Sequence, residues 1–127
     1  MAAQVLPFID DMPRQLAACD LMVCRAGAVT VSELCAAGVP AILVPLVVST
    51  TAHQRDNAQW LAGQGAARHL PQAELSPQRL ADELKSLSSR AVLLAIAEKA
   101  RSNAKPHAAA RVADEIVKLA AKRGVAA

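Results

Sequence analysis

The sequence predicts an α/β fold: a parallel sheet of about four short strands flanked by helices and followed by C-terminal helices. Two observations carry this expectation. Short apolar runs without polar alternation recur as far as Leu70, as in strands buried on both faces. Each run is followed by a segment with helix start or stop signals, which is the order of βαβ units. The length, 127 residues and 13.3 kDa, suits one domain.

Val5-Leu6-Pro7-Phe8-Ile9 is the first apolar run, a strand or strand end, with Pro7 arguing against a fully paired central position. Asp10-Asp11-Met12-Pro13 starts a helix through an Asp cap and a first-turn proline, and the helix runs to about Ala18. Leu21-Met22-Val23-Cys24 is the second buried run. The next helix covers Thr30 to Ala37, with Thr30-x-x-Glu33 as a capping box and Gly38 as its stop. Ala41-Ile42-Leu43-Val44 is the third run, closed by Pro45. A loop over Leu46 to Ala52 leads to a helix from about His53 to Ala62, ending at Gly63. Ala66 to Leu70 is a weaker strand. The rest is helical: Ser76-Pro77 caps a helix to about Leu87, a second covers Ala91 to Ser102, and a third covers Ala108 to Lys122. In the last, Val112, Ile116 and Leu119, with Val117 nearby, make one apolar face.

Composition narrows the function. Lys plus Arg exceeds Asp plus Glu by 14 to 11, a net +3 too mild to argue for nucleic acid or an acidic membrane by itself. Aromatics are 2% (Phe8, Trp60 and no Tyr), which nearly excludes base-stacking platforms and leaves Ala, Val, Leu and Ile to build the core. No apolar run reaches the roughly eighteen residues of a membrane span, and Met1-Ala2-Ala3-Gln4 has no signal-peptide pattern. Cys19, Cys24 and Cys35 form no C-x-x-C pair and read as reduced thiols packed as small hydrophobes. His69 and His107 have no partner at metal-ligand spacing, and G-x-S-x-G, G-x-G-x-x-G and Walker A motifs are absent. Lys99, Arg101, Lys105 and Arg111 read as a solvated basic face, with attraction to anionic lipid as the lesser alternative.

Ligands of such sheets bind at the carboxyl ends of the strands. Three constellations follow those ends. Cys24-Arg25-Ala26-Gly27-Ala28-Val29-Thr30-Val31-Ser32-Glu33 passes from strand through a small-residue turn into a helix. The helix start offers unpaired N–H groups to an anion, and Glu33 offers acceptors to ribose hydroxyls. The same residues fit a purely structural capping box, and both readings stand at this point. His53-Gln54-x-x-Asn57 places amides on one helical face, suited to sugar hydroxyls or to an ordinary helix start. Phe8-Ile9-Asp10-Asp11 offers an apolar wall or backbone edge to a base, or simply a capped turn.

Together with Ala36-Ala37-Gly38-Val39-Pro40-Ala41, these blocks resemble the MurG-type transferases, bacterial enzymes that complete lipid II. The resemblance runs over essentially the whole chain, through Arg111-Val112-Ala113. It implies a Rossmann-like, GT-B donor-binding domain, of which residues 1–127 are the later portion; the acceptor domain and the glycine-rich loop opening the donor domain are not in the chain. It implies inverting transfer of GlcNAc from UDP-GlcNAc to lipid I on the cytoplasmic face of the membrane, without cofactor, metal or nucleic acid. Ile9 would meet uracil through its backbone. Ala28, Val29 and Thr30, with Val31 and Ser32 in the same turn, would receive the diphosphate. Glu33 would hold the ribose, and Gln54, with His53 and Asn57, the GlcNAc hydroxyls. No catalytic residue is assigned within the chain, which is expected to be inactive alone.

The sequence also departs from the family. Leu46 to Ala52 lacks the aromatic and charged residues common there, and His53 stands where some relatives have Gln. Two alternatives fit the same residues: a donor-binding subunit of a two-component transferase, and a related GT-B transferase with another UDP-sugar. The first apolar run is expected to form an exposed sheet edge prone to pairing with another chain.

Overall fold

A computed structural model of the chain describes residues 2–46 and 52–124. Three strands, β1 (Met22–Cys24), β2 (Ala41–Leu43) and β3 (Arg68–His69), form a parallel sheet in the order β1-β2-β3. Val23 is level with Ile42, and Leu43 with His69. The ladder runs past the strand ends, where Val44 N–H donates to Cys24 O (2.8 Å) and Leu70 N–H to Leu43 O (2.9 Å).

Helices α1 (Met12–Ala18), α2 (Ala28–Ala37) and α3 (His53–Gly63) alternate with the strands. After β3 come a 3-10 turn at Gln72–Glu74 and helices α4 (Pro77–Ser86), α5 (Arg90–Ser102) and α6 (Ala108–Lys122). Two starts follow from their caps. Asp11 accepts from Arg14 N–H with Pro13 in the first turn, and Ser76 accepts from Arg79 N–H ahead of Pro77. Gly38 ends α2 in the left-handed region at φ 70, where a β-carbon is strained. Its N–H returns to Leu34 O at 2.8 Å.

The central strand explains the continuous apolar runs. Leu43 joins a core with Leu16, Val31, Leu34, Ala58 and Leu61 of α1 to α3. Ile42 and Val44 face the opposite way, against Leu70, Leu87 and Ile96. Alternate residues of β2 therefore feed two cores, and each needs an apolar side chain.

Three expectations are corrected. Val5 to Ile9 is not a strand: Pro7 lacks a donor, no strand among the described residues pairs with the run, and Val5, Leu6 and Phe8 are exposed. The sheet thus has three strands among the described residues, and its open edges are β1 and β3. The Thr30–Glu33 capping box does not form either, because α2 begins at Ala28 with Gly27 as its N-cap, and among the described residues no side chain caps it. The loop expected over Leu46 to Ala52 falls outside the described residues at positions 47–51. The apolar face of α6 does exist, but Val112, Ile116, Val117 and Leu119 are all more than half exposed.

Burial raises all three thiols, and Cys24 is pushed up to about 11, with Cys19 beside it adding to the effect of burial. Alkylation of the folded chain by iodoacetamide near neutral pH should be slow at every cysteine. The unfolded Cys24 thiol ionises near the ordinary 9.0, below its folded value. Its contribution to stability is complete below about pH 9 and is lost as pH rises through about 11. Urea midpoints measured from pH 8 to 11 should fall across that window, and Cys24→Ala should flatten the fall.

Candidate functional site

The carboxyl ends of the three strands release Arg25, Val44 and Leu70 onto one edge of the sheet. From there the chain turns into α2 through Ala26 and Gly27. Gly27 is extended (φ −63, ψ 151) and caps the helix only with its backbone. The first i to i−4 bond of α2 is Val31 N–H to Gly27 O, at 2.9 Å. The N–H groups of Ala28, Val29 and Thr30 lie ahead of it and have no carbonyl in their own helix. They form the positive end of the helix dipole.

Glu33 lies one turn further on, exposed, and makes no ion pair or hydrogen bond among the described residues. Thr30 and Glu33 are therefore not spent on holding the helix together. The Ser32 hydroxyl, by contrast, is engaged locally, donating to Ala28 O at 2.9 Å. Val31 packs its side chain into the core. An open groove of about 820 Å³ runs from Ala28, Val29 and Glu33 past Trp60 to Asn103 and Lys105.

The amides predicted on α3 have a task that sequence reasoning missed. Gln54 Oε1 accepts from Leu46 N–H at 2.9 Å and, at a longer 3.4 Å, from Ala26 N–H. Asn57 Nδ2 donates to Ala26 O at 3.0 Å. The two side chains tie the loop after β2 to the turn that launches α2. Among the described residues, Nε2 of Gln54 and Oδ1 of Asn57 make no hydrogen bond.

Arg25 was also missed as a site residue. Its Nη1 donates to Val44 O at 3.1 Å and to Gln72 Oε1, so the turn after β3 joins the same edge. The available signal was position: a long cation directly after a buried strand.

The other predicted residues are not drawn into this network. His53 is exposed as the first residue of α3, and Ile9 lies in the irregular segment ahead of α1. Neither makes a side-chain hydrogen bond among the described residues. No group of three His, Cys, Asp or Glu side chains comes together there as a metal set, and no described helix is long and apolar enough to cross a membrane.

A parallel sheet alternating with helices, whose carboxyl edge meets the start of α2, is the architecture of a Rossmann-like domain. Comparison with known proteins narrows the class. The chain belongs to the glycosyltransferase family 28 C-terminal domain family, whose model matches residues 1–116.

Two relatives carry the name UDP-N-acetylglucosamine–N-acetylmuramyl-(pentapeptide) pyrophosphoryl-undecaprenol N-acetylglucosamine transferase. The chain is 64% identical to that of Methylibium petroleiphilum over 122 residues, covering 96% of this chain and 33% of the relative. It is 63% identical to that of Chromobacterium violaceum over 117 residues, covering 92% and 32%. The crystal structure of Acinetobacter baumannii MurG is 44% identical and superposes with a TM-score of 0.86, over 91% of this chain and 35% of that one. The chain thus spans about a third of the length of the curated relatives it matches.

Proposed function

We propose that this chain is the donor-binding portion of a UDP-GlcNAc-dependent hexosyltransferase of peptidoglycan synthesis. The full enzyme would transfer GlcNAc from UDP-GlcNAc to lipid I with inversion, forming lipid II at the inner face of the cytoplasmic membrane as a peripheral protein. The names of relatives above 60% identical support the substrate pair. The observation that carries the reading is the start of α2: three N–H groups without helix partners and, among the described residues, no side-chain cap and no partner for Glu33 one turn away.

In this reading the N–H groups of Ala28, Val29 and Thr30 bind the diphosphate. As the glycosidic bond breaks, charge builds on the departing UDP, and the fixed helix dipole stabilises it without reorganising. Glu33 accepts from the ribose hydroxyls, and the Ile9 backbone meets uracil. Gln54 donates to a GlcNAc hydroxyl through Nε2 while its Oε1 stays on the loops. Asn57 accepts through Oδ1, and His53 lies beside them. The lipid I acceptor and the catalytic base are held by a portion outside this chain. The reaction needs no metal, cofactor or nucleic acid.

Calorimetric titration tests this. UDP and UDP-GlcNAc should bind the chain at millimolar or better, and the chain should not turn over UDP-GlcNAc with a lipid I analogue. Tighter binding of UDP-glucose or UDP-galactose would move the reading to a related transferase with another donor. Turnover by the chain alone would refute the assignment of the acceptor site to another portion.

A further inference from the structure

Arg25 sits where all three strand ends meet. Its Nη1 donates both to Val44 O, just past β2, and to Gln72 Oε1, on the turn after β3. Two residues later Gly27 begins α2. Arg25 is itself exposed, and a long exposed cation at a loop is ordinarily mobile and screened by water. Here two acceptors from different loops fix one guanidinium nitrogen. Val44 O belongs to the backbone and is fixed by the β1–β2 ladder, because Val44 N–H donates to Cys24 O. Gln72 is therefore the side chain that decides whether the guanidinium is held by one acceptor or by two.

We infer that Gln72 is a positioning residue: its side-chain carbonyl holds the Arg25 guanidinium on the Val44 carbonyl, fixing a cation at the carboxyl edge of the sheet beside the start of α2. This rests on the reading of that edge as the donor-diphosphate site. A fixed charge adds to the field of the helix start at no ordering cost on binding, whereas a mobile one must be ordered by the ligand. A neutral hydrogen bond to a charged group is also among the stronger kinds.

The test compares the wild-type chain with Gln72→Leu, Arg25→Lys and the double variant, using UDP-GlcNAc as the probe. Gln72→Leu should weaken binding about fivefold, the cost of ordering a guanidinium that is no longer held, with its thermal midpoint lowered by only a few degrees. The Arg25 Nε–Hε resonance should narrow and lose its heteronuclear NOE, a change that a merely structural role for Gln72 would not produce. Arg25→Lys keeps the charge but not the fork, so adding Gln72→Leu to it should cost nothing more. Unchanged affinity in Gln72→Leu, or additive losses in the double variant, overturns the positioning role alone. A wild-type chain that does not bind UDP-GlcNAc overturns the donor-site reading and this inference with it.

Discussion

Ala28→Pro should lower the affinity of the chain for UDP by about tenfold or more, the worth of one charge-assisted hydrogen bond, while leaving the fold intact. Proline is accepted at the first helical position, where the N–H has no helix partner to lose. The residue before a proline must be extended, and Gly27 already is, at φ −63 and ψ 151. The substitution therefore deletes one N–H of the helix start and little else. Thermal midpoints of the two proteins should agree within a few degrees. A loss of binding accompanied by unfolding would mean that the helix start, and not its missing donor, had been damaged. Unchanged binding would remove Ala28 from the diphosphate contact.

Gln54→Leu should be the most destabilising change at the site. Leucine fits the size of glutamine but leaves the N–H groups of Leu46 and Ala26 without their shared acceptor. One of these bonds is exposed and the other long, so a loss of about 2 kcal/mol is expected, below the full cost of two buried orphans. That corresponds to a fall of roughly 5–10 °C in thermal midpoint. Gln54→Glu separates the two tasks of this side chain. A carboxylate still accepts from both N–H groups, so stability should be largely kept, but the Nε2 donor is gone and UDP-GlcNAc should bind less well. Equal binding of UDP and UDP-GlcNAc by Gln54→Glu would mark the lost donor as a sugar contact. If Gln54→Leu matches the wild type in urea denaturation, the loop ties carry no stability.

Much of the fold was legible because its strands are buried on both faces. Ile42 and Leu43 point into different cores, and a run in which neither position tolerates a polar residue stands out in a sequence. Asp11 and Ser76 were legible as caps because each is followed by a proline in the first turn. Val5 to Ile9 misled because hydrophobicity signals a strand only if another strand is there to pair with, and pairing is not local. Thr30 and Glu33 misled differently. Their spacing satisfies the capping-box pattern, but the cap lies three residues earlier, on Gly27, which needs no side chain. That error is informative, since it leaves both residues available at the edge of the sheet. The ties from Gln54, Asn57 and Arg25 were not legible, because they join positions 8 to 47 residues apart through single side-chain atoms.

The apolar face of α6 shows the same dependence on non-local structure. Its spacing is visible in the sequence and its helix is present, yet its large side chains remain exposed among the described residues. A periodic pattern gives the direction of burial and not the surface that covers it.

In the proposed function the start of α2 receives a nucleoside diphosphate. The most direct measurement is a titration of the nitrogen-15-labelled chain with UDP, followed amide by amide. Saturable shifts are expected at millimolar UDP or below, largest at Ala28, Val29, Thr30 and Glu33, and in Ala28→Pro the shifts of the remaining three should need about tenfold more UDP to saturate. No shifts at millimolar UDP, or shifts confined to residues away from the carboxyl edge of the sheet, would contradict it.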